Sequence, residues 1–142
     1  MFDGVLLTPL QIINTPGGDV LHAVKKIDLG FKNFEEAYLS EIQQNQIKAW
    51  KRHKKMTLNL IVPSGKVRFV LKNSQKNSDP GFQEVTLSRD NYARLTIPPM
   101  VWFGFQGVSK KNGLVLNIAD FMHDANEIER KTLSEIKFDW SK

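Results

Sequence analysis

The stretch IKAWKRHKK, residues 47–55, concentrates the side chains best suited to chemistry in this chain. His53 carries an imidazole, which acts as a base near neutral pH. Lys51 lies two residues earlier, so on an extended strand the two side chains share one face. The remaining basic residues can attract an anion such as a phosphate: Lys48, Arg52, Lys54 and Lys55. The stretch therefore predicts a base beside an anion-binding group at one strand end.

This stretch belongs to a longer pattern of strand-like segments separated by turns. Residues 47–62 read as one strand-like segment, and Pro63-Ser64-Gly65 leads into a second segment over 66–71. Residues 4–14 fit an edge strand or a loop, residues 20–27 a strand or a helical turn, and residues 124–129 a short helix or a loop. Residues 72–81 are polar and predict a long exposed loop. Alternation predicts strands at 36–42 and 82–87, and a further strand is predicted at 92–97. Aromatic residues with glycines predict a strand at 101–108, a nearly all-apolar run predicts one at 114–119, and a last strand is predicted at 136–140. Many short strands with little helix predict an all-β fold of the jelly-roll type with short helical turns.

Composition narrows the classes of function. The chain has 142 residues, no cysteine and three histidines, which excludes disulfides and disfavours a structural zinc site. Its formal net charge of +5 favours an anionic partner. No nucleic-acid-binding motif accompanies that charge, so we expect no nucleic-acid partner. No apolar run of about 18 residues is present, and the first residues lack a signal-peptide pattern, so we expect a cytoplasmic protein without a membrane partner.

The ordered motifs of the chain resemble a known family. They are IKAWKRH, PSGKVRFVL, F-x-E-V-x-L-S at 82–88, N-Y-x-R-L-x-I-P-P at 91–99, G-F-Q-G at 104–107 and F-D-W at 138–140. Together they resemble the cupin-type nucleotide-sugar epimerases and ketoisomerases, namely dTDP-4-dehydrorhamnose 3,5-epimerase and the dTDP-sugar 3,4-ketoisomerases. The resemblance implies one cupin-like jelly-roll domain over residues 1–142 that forms a homodimer. It also implies a nucleotide diphosphate sugar in the barrel mouth, without a metal or another cofactor.

The resemblance also assigns site residues. The catalytic base of the epimerases falls on Lys51, and His53 retains the second member of the His-x-His pair of the ketoisomerases, so both are predicted to be catalytic. The position of an arginine near the phosphates falls on Lys48, which keeps the charge but not the bidentate fork. Phe103 stands where the family has a later histidine, and Leu116 lies near the position of its acid tyrosine.

Other polar and aromatic residues complete the predicted site. The predicted substrate-binding residues are Lys48, His22, Tyr38, Asn59, Trp102 and Asn117. An aromatic ring such as that of Trp102 can stack on a nucleotide base. The candidate acids are Tyr38 and Tyr92, and the candidate carboxylates that would orient His53 are Asp120 and Glu36.

The implied activity is that of an epimerase or isomerase in surface polysaccharide biosynthesis. It would act on a dTDP-4-keto-6-deoxyhexose by removing a proton beside the ketone, which requires a base, stabilisation of the enolate and an acid. The alternative is a catalytically silent relative that binds a nucleotide sugar or serves as a scaffold. The basic strand end with His53 favours the enzyme, whereas Phe103 and Leu116 favour the silent relative. A metal-dependent cupin is disfavoured because His53 is the one plausible ligand of this cluster.

Overall fold

A computed structural model describes residues 1–73 and 79–142 of the protein. In these two ranges the chain forms short strands and one 3-10 turn, and no helix there is long and apolar enough to cross a membrane. The strands are β1 (Leu6–Pro9), β2 (Ile12–Ile13), β3 (Val20–Leu21), β4 (Glu36–Ile42), β5 (Ile47–His53), β6 (Leu58–Ser64), β7 (Val67–Asn73), β8 (Phe82–Leu87), β9 (Ala93–Ile97), β10 (Val101–Gly107), β11 (Gly113–Ala119) and β12 (Ile128–Arg130), and the 3-10 turn is Ala125–Glu127.

Two five-stranded sheets build the barrel. The first has the order β1-β9-β6-β11-β4, the second has the order β12-β5-β10-β7-β8, and β2 and β3 form a separate small sheet. All the paired strands within these sheets are antiparallel. Alternate side chains of both large sheets fill one apolar core, for example Leu60 of β6, Phe69 of β7 and Val115 of β11. The predicted all-β, cupin-like jelly-roll class is confirmed.

Strands β5 and β10 approach each other closely at a point of irregular register. Lys51 pairs with Phe103 and Lys48 pairs with Phe105, so the register shifts between these two pairs. Gly104 lies at this shift, where an added Cβ would come within 2.4 Å of the Ala49 Cβ. Glycine is therefore required here so that the two strands can pack together.

A second, aromatic cluster covers the outer face of the second sheet. It contains the buried residues Trp50, Val70, Trp102, Ile136 and Trp140. The chain after β12 folds over this face without forming a strand, and the Trp50 indole donates a hydrogen bond of 2.9 Å to the Ile136 carbonyl. The strand predicted over 136–140 is therefore wrong, because the alternating apolar residues bury themselves as an irregular tail rather than by strand pairing.

The segment predicted over residues 47–62 is also divided differently. It forms two strands, β5 and β6, which belong to different sheets and are separated by residues 54–57. The short helix or loop predicted over 124–129 is a 3-10 turn, in which the Asp124 side chain accepts a hydrogen bond from the Asn126 amide, followed by β12. Of the loop predicted over 72–81, residues 74–78 lie outside the described residues, and residues 72 and 73 end β7.

Candidate active site

A cavity of about 520 Å³ opens between the two large sheets. That volume lies within the range of about 300–1,000 Å³ that is usual for small-molecule sites. The first sheet contributes Tyr38, Ser40, Leu58, Leu60, Val115 and Asn117. The second sheet and the residues after it contribute 47–51, Phe103, Phe105 and 130–132. The cavity thus has an apolar floor, a few polar groups and a basic wall.

The basic wall comes from neighbouring strands β5 and β12. Lys48, Lys51, Arg130 and Lys131 line the cavity, and no carboxylate is among its described lining residues. Lys131 is anchored by two backbone hydrogen bonds to Trp50, of 3.0 and 3.1 Å. Because Lys48, Lys51 and Arg130 border a space whose described lining residues include no carboxylate, the cavity is suited to an anionic ligand. The Lys131 ammonium lies over the Trp102 ring of the outer face.

Lys51 is the half-buried member of this group and reaches the cavity from the inner face of β5. Burial lowers the pKa of Lys51, and the charges of Arg130 and Lys48 lower it further, against a smaller opposing influence of Glu127. Within residues 1–73 and 79–142, no side chain or carbonyl pairs with its amine. A larger share of the amine is therefore neutral than for an ordinary surface lysine.

His53 lies behind the cavity wall rather than among the lining residues. It is 4% exposed, and its ring stacks on Phe103 with the ring centroids 6.2 Å apart. Phe103 itself lines the cavity. The His53 Nδ1 is hydrogen-bonded to the Glu127 carboxylate, whereas its Nε2 is buried and has no partner among the described residues. Nε2 is thus the nitrogen available for proton transfer.

Glu127 ties the 3-10 turn to the end of β5. Its second carboxylate oxygen accepts hydrogen bonds from the backbone amides of Lys55 and Met56, at 3.1 and 3.3 Å. Burial alone would raise the pKa of Glu127, but these bonds and the one with His53 lower it below its ordinary value. Burial lowers the pKa of His53, and Glu127 offsets only part of that effect. The imidazole is therefore neutral at neutral pH, as a base must be.

Tyr38 and Asn117 meet on the opposite wall of the cavity. They pair across β4 and β11, and the Asn117 side-chain amide donates a 3.0 Å hydrogen bond to the Tyr38 hydroxyl. The Asn117 carbonyl oxygen accepts from the Asn59 backbone amide at 3.1 Å, which fixes its orientation. The Tyr38 hydroxyl keeps its own proton to donate. Leu116 points away from this wall, since Asn117 and Val115 are the inward residues of β11.

The structure brings four of the predicted site residues to the cavity and places the others elsewhere. Lys48, Lys51, Tyr38 and Asn117 line it. Asn59 lies on the opposite face of β6, where its side chain bonds Arg94, Thr96 and Gly30. Trp102 is buried in the outer aromatic cluster, beneath Arg52 and Lys131. His22 lines a separate groove beside β1.

Several residues of the site were not identified from the sequence. The carboxylate that holds His53 is Glu127, not Asp120 or Glu36. Asp120 instead accepts a 2.7 Å hydrogen bond from the Thr57 amide. Arg130 and Lys131 were missed as well, and their one visible signal was the change in charge pattern after Asp124. In the part of the chain that the structure describes, no three histidine, aspartate or glutamate side chains are grouped to hold a metal ion.

Comparison with known protein families identifies the family of this chain. The family described as FdtA: WxcM-like, C-terminal matches residues 3–135. The chain belongs to this family. Among solved structures, a dTDP sugar isomerase from Desulfovibrio desulfuricans G20 is 38% identical, with a TM-score of 0.90, and the match covers 97% of this chain and 91% of that one. The resemblance read from the motifs is thereby confirmed.

More distant solved structures share the fold of the FdtA family member described here. QdtA, a sugar 3,4-ketoisomerase from Thermoanaerobacterium thermosaccharolyticum in complex with TDP, is 23% identical with a TM-score of 0.77, over 92% of this chain and 90% of that one. The dTDP-4-dehydrorhamnose 3,5-epimerase from Sulfolobus tokodaii is 17% identical with a TM-score of 0.83, over 99% of this chain and 84% of that one. No curated protein sequence matched the chain.

Proposed function

We propose that the protein is a nucleotide-sugar isomerase or epimerase that acts on a dTDP-4-keto-6-deoxyhexose by removing a proton beside the ketone. The observation that carries the proposal is the placement of Lys51 and His53 on one face of β5, beside a cavity of ligand size, in a member of this family. The relative at 38% identity is a dTDP sugar isomerase. The nucleotide of that substrate is carried over from the relatives.

The charge of the cavity supports a diphosphate ligand. Lys48 and Arg130 are exposed at its edge, so they can contact phosphate oxygens while remaining hydrated. The apolar floor includes Phe103 and Phe105, which suits the face and the methyl group of a deoxysugar. The phosphates would therefore lie at the basic wall, with the sugar deeper between the sheets.

The spacing of Lys51 and His53 fits the two tasks that the reaction requires. Residues two apart on a strand are separated by about 6.6 Å along the strand axis. Lys51 acts on the ketone and draws electrons from the carbonyl group. His53 then takes the proton from the adjacent carbon through Nε2 by way of one water molecule, since its ring lies behind the cavity wall, with Nδ1 held by Glu127.

Tyr38 is assigned as the acid that returns a proton. It lines the cavity on the sheet opposite β5, so it can reach the other face of a bound sugar ring. Its hydroxyl accepts from Asn117 and can donate to the ligand. Tyr92, the other candidate acid, donates its hydroxyl to the His22 carbonyl at 2.8 Å and is not among the cavity residues.

The remaining parts of the proposal concern the setting. We place the reaction in surface polysaccharide biosynthesis in the cytoplasm, and we propose a homodimer. Edge strand β4 carries Leu39, which is 60% exposed, and the adjoining Phe34 is 57% exposed. Such apolar side chains at a sheet edge are suited to contact a second copy of the chain. Sedimentation or light scattering measures the oligomeric state.

The deciding experiment is isotope exchange. The protein is incubated with dTDP-4-keto-6-deoxyglucose in deuterated water, and the sugar is examined by NMR for label at C3 or C5. We expect label with the unaltered protein and a loss of label with His53→Asn, which keeps a donor for Glu127 but removes Nε2. Tight binding without label would instead identify a catalytically silent member of the family, the alternative that Phe103 at the late histidine position favours.

A further inference from the structure

Lys51 differs from the other two lysines of the cavity, Lys48 and Lys131, in its surroundings. Lys48 donates a 2.7 Å hydrogen bond to the Glu41 carbonyl, and Lys131 lies 5.2 Å from the centroid of the Trp102 ring. Lys51 has no such partner in the described parts of the chain, and its strand partner Phe103 contributes an aromatic wall. Neighbouring charges further favour the neutral amine, which places it among the lysines that act as nucleophiles rather than as ion-pair partners.

We propose that Lys51 forms a covalent iminium with the ketone of the bound sugar, and that the reaction is an epimerisation in which the ketone stays on its carbon. The inference rests on the proposed function, because it takes the keto sugar nucleotide as the ligand. It goes further by assigning Lys51 a bond to the substrate instead of an electrostatic role.

The atoms and electrons of this step balance without another reagent. The amine lone pair bonds to the carbonyl carbon, and the carbonyl π electrons move to oxygen. The oxygen takes up one proton from the amine nitrogen and one from the solvent and leaves as water, which gives a carbon–nitrogen double bond to Lys51. This cationic group withdraws electrons from the adjacent carbon, whose proton passes to His53 Nε2 while an enamine forms. Reprotonation of that carbon on its other face and attack of water on the iminium release the epimer and the free amine.

The same chemistry excludes movement of the ketone. If the carbonyl moved to the neighbouring carbon, Lys51 would be left attached to the original carbon by a single carbon–nitrogen bond, which water does not cleave. A covalent Lys51 therefore predicts an epimerised product with its ketone in place. A Lys51 that acts without a bond permits either outcome.

The test combines trapping with exchange. The protein is incubated with dTDP-4-keto-6-deoxyglucose and sodium cyanoborohydride, which reduces an iminium to a stable amine, and the modified residue is located by mass spectrometry. Deuterium exchange without the reductant is followed by NMR in parallel. Lys51→Arg keeps the positive charge but cannot form the iminium, and Lys54→Arg is the matched control because Lys54 is exposed and outside the cavity. Thermal unfolding shows whether each variant is folded.

We expect an adduct on Lys51 of the unaltered protein and of Lys54→Arg, and none with Lys51→Arg, whose exchange rate should fall about 10²-fold or more. Exchange without an adduct, exchange retained by folded Lys51→Arg, or a product with a displaced ketone would overturn the covalent step while leaving the isomerase proposal intact. Absence of both label and adduct in the unaltered protein would overturn the proposed function and this inference with it.

Discussion

Two cationic side chains of this protein, Arg94 and Lys51, are withdrawn from water in different surroundings. Arg94 on β9 is fully buried, and four acceptors surround its guanidinium: the Asn59 side chain, the Ala23 and Leu29 carbonyls and the Asp28 carboxylate, at 2.8–3.3 Å. Lys51 on β5 is half-buried and has no acceptor among the described residues. Both charges are at least partly withdrawn from water. The Arg94 guanidinium is surrounded by acceptors, whereas the Lys51 amine has none among the described residues.

The difference indicates that Arg94 stabilises the fold, whereas Lys51 is placed to act on a ligand. A buried charge is tolerated when hydrogen bonds replace its hydration, as they do around Arg94. The network also includes Asn59 and holds residues 23–30 against the first sheet. An unpaired amine such as that of Lys51 brings no comparable stability to the fold, so its position in the cavity is better explained by a role toward a ligand.

The largest effect should come from removing the Lys51 amine. Lys51→Met keeps a similar length and apolar stem but abolishes both charge and nucleophilicity. We expect the deuterium exchange rate with dTDP-4-keto-6-deoxyglucose to fall about 10³-fold. The free energy of unfolding should be unchanged or higher, because a desolvated charge without a partner is lost. Chemical denaturation measures the free energy of unfolding, and NMR measures the exchange rate. If Lys51→Met lost its activity because it unfolds, the contrast drawn between Lys51 and Arg94 would be contradicted.

Arg94→Leu should show the reverse pattern. The substitution removes the Arg94 donors from four buried or partly buried acceptors, so we expect the free energy of unfolding to fall by about 3 kcal/mol. Exchange per folded molecule should stay close to that of the unaltered protein, since Arg94 is not among the residues that line the cavity. Arg89→Leu is the matched control, because its ion pair with Asp19 is half-exposed and should contribute less than about 1 kcal/mol. Equal losses for both variants would remove the distinction between paired burial and surface pairing.

Glu127→Gln should change the pH dependence more than the rate. The side-chain oxygen can still accept from His53 Nδ1, while the new NH2 group faces the Lys55 and Met56 amides and cannot accept from them. The charge that partly offsets the lowered pKa of His53 is gone. That pKa should therefore fall further, and the acid limb of the pH–rate profile should move to lower pH, since His53 must be neutral to act. We expect a rate loss of about tenfold, because outer partners orient the groups that act directly. Glu129→Gln, which neutralises a carboxylate that pairs with Arg52 on the outer face, should leave the limb in place.

His53 should also make stability depend on pH. Its pKa is lower in the folded protein than its ordinary value, so protonation favours the unfolded chain. The free energy of unfolding should accordingly decline as the pH falls below about 6.5, the ordinary histidine value. Denaturation of the unaltered protein and of His53→Asn between neutral and mildly acidic pH measures this contribution. An identical slope for both proteins would show that His53 is not the group responsible.

The local pattern predicted much of the sheet, and four of the eight residues predicted for the site line the cavity. Strands β4 and β8 begin and end where alternation placed them, because period-two patterns report directly on a half-buried strand. The tail at 136–140 carries the same alternation but is held by Trp50 and Arg68, which lie far away in sequence. Glu127 was missed for a similar reason, since it is 74 residues from His53. Asn59 and Trp102 were assigned to the site, but the side chain of each lies on the face of its strand that points away from the cavity. Which face of a strand lines the cavity depends on how the two sheets pack against each other, and the local sequence pattern does not report that packing.

The smallest effect separates the two tyrosines of the chain. Tyr38→Phe removes the hydroxyl that accepts from Asn117 and faces the cavity, so we expect exchange to fall by a factor of about ten if Tyr38 returns the proton. Stability should change little, because Tyr38 is 37% exposed. Tyr92→Phe is the control, since its hydroxyl bonds the His22 carbonyl outside the cavity. If Tyr38 is the acid, the exchange rate should fall in Tyr38→Phe and not in Tyr92→Phe. Equal exchange rates in the two variants would assign the acid to another group of the same wall.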